Sequence, residues 1–378
     1  MQKVKKNVIL ITIYDQPDKF PPTLNAIQEL VKLGEKVIVL YRKDAKKTPT
    51  EKKTDHIEIG IVDKNTLYAA SWRKLLFFLR FSLNLWYYNI KYRPSLNLTY
   101  DSYSFGAFIL IRRFIRHTKL WYHNHDVTDL NYVNKKSLTY WCWKIEQKHL
   151  IKASIFSLPD LSRSKFFKYQ NVPAFLPNYP NLAFNPNPVH SSQQNLKGNL
   201  KIIYQGKISL GHGILELVTY LKQTKHSITL DLIGDYDQTF KKDLKAFVDK
   251  NKLTDKVFFH EAKPYNDLIR FAKNFDLGIG ILQPVNAAYS TAASASNKIY
   301  EYAALGMPVI LFDNEHYRNA LKKFSWAKFS DLSTESFDTI FTDLLNNHQY
   351  YSEQAYNDYR NHLYFEKHFS PLYQKISH

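Results

Sequence analysis

Glu301 stands four residues after Asn297 within SASNKIYEYAALGMPVI, a run that opens at Ser294 with small and polar residues, continues as a helix, and stops at Gly306 ahead of Pro308-Val309-Ile310. The start of such a helix presents backbone N–H groups and the positive end of a dipole, which suit a diphosphate. One turn further on, a carboxylate accepts two hydrogen bonds from a vicinal diol such as that of a ribose. The competing reading of Glu301 is a solvent-exposed helix acid. A second run, Tyr204-Gln205-Gly206-Lys207-Ile208-Ser209-Leu210-Gly211-His212-Gly213, reads as a strand that ends in a glycine-rich loop before a helix. Its glycines let the backbone approach a ligand closely, and Lys207 supplies a cation for phosphate. The spacing is not G-x-G-x-x-G, and no G-x-x-x-x-G-K-[ST] occurs, so neither a dinucleotide dehydrogenase nor a P-loop ATPase is indicated.

A third group, Trp121-Tyr122-His123-Asn124-His125-Asp126, falls at the carboxyl end of an expected strand, the end beyond which open α/β sheets bind ligands. Of the two histidines, His125 is the candidate for a site. Histidines at alternate strand positions suggest a metal, but no third ligand stands near them in the sequence, and no metal site is expected. Asp235-Tyr236-Asp237 has the D-x-D form of a metal motif, yet it follows Gly234 at a strand end and reads as a helix cap.

The elements that must position these residues form two series. Short runs rich in Val, Ile and aromatics alternate with longer segments of helical spacing, the pattern of parallel sheets covered by helices. In the first series strands are expected at 8–14, 36–41, 57–62, 96–101, 119–125 and 154–158. In the second they are expected at 201–205, 229–234, 257–261, 277–282 and 308–312. Between the series lies Leu176-Pro177-Asn178-Tyr179-Pro180-Asn181, then a polar stretch as far as Gly198, which is linker chemistry. A helix is expected over 71–92, with Trp72, Leu75, Leu76, Leu79, Leu83 and Trp86 packed on the sheet and Phe77, Phe78, Phe81 and Tyr88 off that stripe. Arg80 and Asn84 interrupt it, so it does not span a bilayer. An in-plane membrane helix is the alternative to a core helix.

The 378 residues exceed the usual extent of one core and favour two domains. One cysteine, Cys142, excludes an internal disulfide or thiolate cluster and suits a reducing compartment. The N-terminus runs directly into the strand-like Val8-Ile9-Leu10-Ile11 and shows no cleavage-site pattern, so it reads as the first strand of the fold. Of the net charge of +18, residues 1–178 carry +16, with 30 Lys and Arg against 14 Asp and Glu. A domain so basic draws a polyanionic substrate, anionic lipid or nucleic acid.

Together, YQGKISLGHGILELV, LDLIGD and SNKIYEYAALGMPVI, with WYHNHD and Leu176-Pro177-Asn178 in the first half, resemble the family-four glycosyltransferases (glycosyl transferases group 1), retaining enzymes of the GT-B architecture. The resemblance implies an α/β fold of two Rossmann-like, doubly wound parallel-sheet domains facing an interdomain cleft. An acceptor domain over 1–178 is followed by a linker over 179–198, a nucleotide-sugar donor domain over 199–350, and a helical segment over 351–378 that crosses back to the first domain. It also implies Glu301 on the nucleotide ribose, Lys207 on the donor diphosphate, and His125 as the cleft histidine. The donor-binding set on this basis is Gly206, Lys207, His212, Ser294, Asn297, Lys298 and Glu301, and the catalytic pair is His125 and Lys207.

Two positions depart from the family pattern. His212 stands where a Lys or Arg is common, and its imidazole is only partly protonated at neutral pH, so the diphosphate would be held less strongly or in a pH-dependent way. Ala293 stands where many members carry an acid, so contacts to the sugar would come from backbone N–H groups of residues 290–297 or from Asn297. The expected activity is metal-independent transfer of a sugar from a nucleoside-diphosphate sugar to a hydroxyl, with retention and without a cofactor. Expected partners are the UDP- or GDP-sugar, a glycan or lipid-linked acceptor of cell-surface polysaccharide synthesis, and an anionic membrane face met from the cytoplasm. The alternatives are a sugar-nucleotide epimerase or phosphorylase on the same plan, for which acid/base candidates are few, and a nucleic-acid-binding protein. The basic residues are dispersed rather than clustered, and no nucleic-acid partner is expected.

Overall fold

The computed structural model describes residues 6–45, 55–64, 70–185 and 199–377. They divide into two compact units: Met1–Pro177 with Phe365–His378, and Asn178–Tyr364.

Unit 1 runs β1 (Val8–Ile13), α1 (Pro21–Lys32), β2 (Lys36–Asp44), β3 (Ile57–Asp63), α2 (Ser71–Tyr92), β4 (Leu96–Tyr100), α3 (Asp101–Ile111), β5 (Lys119–His123), α4 (Leu138–His149), β6 (Ile155–Leu158) and β7 (Ala174–Phe175). Its strands pair in parallel in the order β3-β2-β1-β4-β5-β6-β7. The order reverses between β1 and β4, which opens a crevice beyond the strand ends at that point. Alternation along β1 divides the two faces. Ile9, Ile11 and Ile13 pack with Ala26, Ile27 and Leu30 of α1 and with Phe365, Phe369 and Tyr373 from the far end of the chain.

The α2 face is the reverse of the one expected. Phe77, Phe78, Phe81 and Leu85 are buried, while Trp72, Leu75, Leu76, Leu79, Leu83 and Trp86 are exposed. Both faces are apolar, so periodicity alone does not choose between them. Complementary partners do: Tyr14 meets the edges of Phe77, Phe78 and Phe81 with ring centroids 5.0–5.8 Å apart, and Phe78 also meets Tyr103 and Trp141. Ser82 and Asn89 lower the apparent hydrophobicity of the buried face but are satisfied there. Ser82 Oγ donates to the Phe78 carbonyl, and Asn89 exchanges hydrogen bonds with Asn97 of β4.

Unit 2 runs β8 (Asn199–Ile208), α5 (Ile214–Gln223), β9 (Ser227–Tyr236), α6 (Gln238–Lys250), β10 (Val257–Glu261), α7 (Tyr265–Ala272), β11 (Leu277–Ile279), α8 (Asn297–Ala304), β12 (Val309–Phe312), α9 (Glu315–Leu321), β13 (Ala327–Ser330) and α10 (Thr334–Asn361). The parallel order is β10-β9-β8-β11-β12-β13, with its reversal between β8 and β11. One face of this sheet is covered by α5, α6 and the start of α10, the other by α8, α9 and Trp326. Residues 178–185 are held on unit 2: the Asn178 N–H donates to the Ser294 carbonyl, and the Asn181 carbonyl accepts from Tyr359. The rest of the linker, 186–198, lies outside the described residues. After α10 the chain passes to α11 (Phe365–Ser377), which belongs to unit 1.

Candidate functional site

In unit 2 the site residues gather where β8 ends beside the start of α8. Gly206 has φ +118°, and a Cβ there would meet Lys298 Nζ at 3.5 Å, so glycine keeps the space in front of that ammonium open. Gly213, at φ +66°, precedes the first residue of α5, and a Cβ there would strike Ile281 at 2.8 Å. Lys298 lies 4.0 Å from the centre of the Tyr204 ring and donates to its hydroxyl at 2.8 Å. Burial draws its ammonium down to about 7, partly offset by Glu301. No side chain caps the first turn of α8, and Asn297 Oδ1 is buried without a hydrogen bond among the described residues. An open helix start beside an unsatisfied buried acceptor is a place for a ligand to complete.

Glu301 is not an exposed helix acid; only 3% of its surface is accessible. One carboxylate oxygen accepts from Tyr265 Oη at 2.7 Å and the other from Gln205 Nε2 at 2.6 Å. Burial raises the carboxyl to about 7, against the lowering effect of those two donors and of Lys298. Each carboxylate oxygen has a second lone pair, so the cluster orients Glu301 and leaves it capacity for a diol. Tyr265 and Gln205 were not singled out from sequence. Gln205 is marked only by standing next to Gly206 at a strand end, and nothing local marks Tyr265.

For His212 the environment opposes one of the two expectations, the pH-dependent hold. It is 2% exposed, its Nε2 lies 3.1 Å from the Tyr289 hydroxyl and its Nδ1 3.1 Å from the Ser209 carbonyl. Burial first, and the cations Lys298 and Lys207 after it, bring its imidazole down to about 3, so it is neutral at physiological pH and does not titrate there. Lys207 is exposed at the end of β8. Ala293 is buried and its backbone is engaged: its N–H donates to His316 Nε2 at 3.3 Å, and its carbonyl accepts from Tyr300 at 2.7 Å. That amide is therefore not free for a sugar. Ser294, also buried, gives its carbonyl to Asn178. The structure thus brings Gly206, His212, Lys298 and Glu301 together, with Asn297 beside them on α8.

In unit 1, β5 stops at His123, and His125 lies beyond the strand rather than at an alternate position along it. The cause is Asp101, which opens α3 at φ +61° and accepts from the His125 N–H at 2.7 Å, drawing the chain off the strand line. Asp101 Oδ2 lies 3.2 Å from His125 Nδ1, and the imidazole is stacked between Phe20 and Tyr100. A carboxylate on Nδ1 fixes the tautomer and leaves Nε2 for chemistry; Nε2 is buried without a partner among the described residues. His123 instead bonds Ser157, and burial with neighbouring His125 and Arg163 keeps it neutral. Next to this pair a cavity of about 420 Å3 opens beyond the ends of β1–β4, lined by Tyr14, Asp15, Arg42, Asp63, Asp101 and Tyr103 among others. Arg42 is clamped by Asp63 at 2.9 Å and stacks on Tyr14.

Asp237 accepts from the Phe240 N–H at 2.9 Å as the cap of α6. Among the described residues no group of three His, Cys, Asp or Glu could hold a metal ion, and no helix is long and apolar enough to cross a membrane.

Residues 190–360 match the family model of glycosyl transferases group 1. No curated protein matches the chain in sequence. Among solved structures, sucrose-phosphate synthase of Thermosynechococcus elongatus superposes with a TM-score of 0.75 at 14% identity, covering 98% of this chain and 99% of that one. Anabaena HepE in complex with UDP-glucose gives 0.70 at 14% identity over 98% and 99%. A glycosyltransferase of Rickettsia africae gives 0.71 at 14% identity over 99% of each chain. Likeness at such identity shows the fold, which is GT-B.

Proposed function

We propose, from the premise that this chain is a glycosyltransferase whose second unit is a glycosyl transferases group 1 domain, that it transfers a sugar from a UDP-sugar to a hydroxyl of a glycan or lipid-linked glycan. The observation that carries the reading is the pair formed by Glu301, oriented by Tyr265 and Gln205, and Lys298, held behind Gly206 at the uncapped start of α8. A carboxylate for a ribose diol and a cation with open backbone amides for a diphosphate stand one helical turn apart, the arrangement a nucleoside diphosphate needs. The UDP-glucose bound by HepE, which shares the fold, supports uridine as the base.

In the reaction the acceptor oxygen bonds to C1 of the sugar, and the bond from C1 to the diphosphate oxygen breaks with its electron pair leaving on the diphosphate. Lys207, Lys298 and the α8 amides hold that charge, and fixed donors of this kind need no reorganisation as it develops. His125, oriented by Asp101, takes the proton of the acceptor hydroxyl on its Nε2 as the new bond forms, and unit 1 receives the acceptor in the cavity beside it. Transfer is metal-independent and retains configuration at C1. The enzyme works in the cytoplasm on cell-surface polysaccharide, at an anionic membrane face that attracts its basic first unit.

Thermal unfolding against UDP, GDP, ADP and CMP, followed by UDP release from UDP-sugars, tests the donor half. UDP alone is expected to raise the melting temperature clearly. A panel in which no nucleotide does so sinks the reading.

A further inference from the structure

The outward face of α2 is a continuous apolar strip. Trp72, Leu76 and Leu83 are 60%, 56% and 64% exposed, and Leu75, Leu79, Trp86, Tyr87 and Ile90 are exposed with them. At the helical advance of about 100° per residue all eight fall within an arc of about 120°, opposite Phe77, Phe81 and Leu85. Arg73, Arg80 and Lys91 follow one edge of that arc, and the 22 residues of the helix include no Asp or Glu. A helix of that length extends about 33 Å. Contiguous exposed apolar surface of this kind marks an interaction site.

Charge selects the partner. Four cations, no acid and a surrounding domain of net +16 ask for an anionic surface, while the long convex strip asks for one with apolar depth. An anionic bilayer has both: acyl chains for the leucines and tryptophans, and headgroups for the cations at the edge. We propose that α2 docks in the plane of an anionic membrane, with the face from Trp72 to Ile90 immersed at the headgroup boundary. Ser71 and Lys74 in the first turn of α2 line the unit 1 cavity, with Lys74 on the face opposite the strip, so docking holds that cavity about one helix diameter, roughly 10 Å, above the acyl boundary, where the saccharide of a lipid-linked acceptor is presented. What the docking serves rests on the proposed transfer to such an acceptor; the docking itself does not.

Sedimentation of the full chain with phosphatidylcholine vesicles, with and without about a third phosphatidylglycerol, tests this at low and high salt. The wild type is expected to bind the anionic vesicles at least about tenfold better and to lose that preference in high salt. The double variant Leu79→Glu/Leu83→Glu is expected to lose about tenfold or more in vesicle binding, and Arg73→Gln/Arg80→Gln/Lys91→Gln to lose the anionic preference. Melting temperature and UDP response, unchanged in both variants, show that the fold is intact. Vesicle binding without a nucleotide response removes the donor reading and leaves the docking standing. A wild type that ignores both vesicles, or variants that bind as the wild type does, overturns the docking. So does a wild-type dimer that the glutamate pair disperses, which assigns the strip to a second copy of the chain.

Discussion

Replacing Glu301 by Gln separates what the carboxylate costs the fold from what it gives the ligand. The amide has the same shape. Its oxygen still accepts from Gln205, and its NH2 donates to the Tyr265 hydroxyl, so the cluster stays closed. In the wild type burial holds the carboxyl at about 7, against 4.5 for an ordinary glutamate. The folded state therefore binds this proton more tightly than the unfolded state. Stability falls as pH rises from about 4.5 to about 7, and the whole penalty is present above that range. At 1.36 kcal/mol per unit the penalty at pH 8 is about 3 kcal/mol with the attraction of Lys298 already included, and the weaker hydrogen bonds of the neutral amide leave roughly 1–3 kcal/mol of it as the gain. For a unit of this size 1 kcal/mol corresponds to roughly 2–4 °C. Glu301→Gln without ligand is expected to melt about 5 °C above wild type at pH 8 and within about 2 °C of it at pH 5. UDP at about 100 times its dissociation constant adds roughly 2.7 kcal/mol to the wild type, and the variant is expected to lose most of that shift. Scanning calorimetry at the two pH values, with and without UDP, reads both effects. A variant that melts below wild type at pH 8, or that keeps the full UDP shift, refutes the reasoning.

Lys298 gives a dependence of the opposite sense. Burial brings it down to about 7, so its charge is present below that pH and lost as pH climbs past it. UDP affinity by titration calorimetry is expected to fall between pH 7 and 9 in the wild type and to stay flat in Lys298→Met. Asp101→Asn removes the carboxylate that orients His125 while leaving unit 2 untouched. It is expected to lower kcat by about a hundredfold, the usual scale for a mispositioned acid/base group, with UDP binding unchanged.

Repeated short apolar runs made the parallel sheets readable from sequence, because strands buried on both faces need nearly continuous Val, Ile and Leu. The strands missed were β7, which is two residues long, and β13, an edge strand whose Lys328 and Ser330 break the apolar run. Strand ends were less legible. The extension of β5 through His125 followed from WYHNHD alone, whereas its true end depends on Asp101, 24 positions earlier. The site shows the same divide. The turn before α8 and the glycine loop carry local signatures, but the state of each group is set by distant partners. Glu301 is held by Gln205, 96 positions away, and by Tyr265, 36 away, while Tyr289, 77 positions from His212, helps to bury it. The choice of face on α2 was illegible for a related reason: both faces are apolar, and the decision lies with the rings of Tyr14, Tyr103 and Trp141.

The passage of α11 into unit 1 sets an order of events during synthesis. Phe369 stacks on Trp121, and Tyr373 bonds Glu35 at 2.6 Å, so the last pieces of the first core are made after the whole of unit 2. At a typical 5–20 residues per second, the nascent first unit waits roughly 10–40 s with Trp121 and the isoleucines of β1 uncovered on that side. Over that interval the growing chain carries an unfinished hydrophobic slot of the kind that chaperones occupy. Unit 2, contiguous in sequence, has no such wait and completes its own core before the first unit is closed.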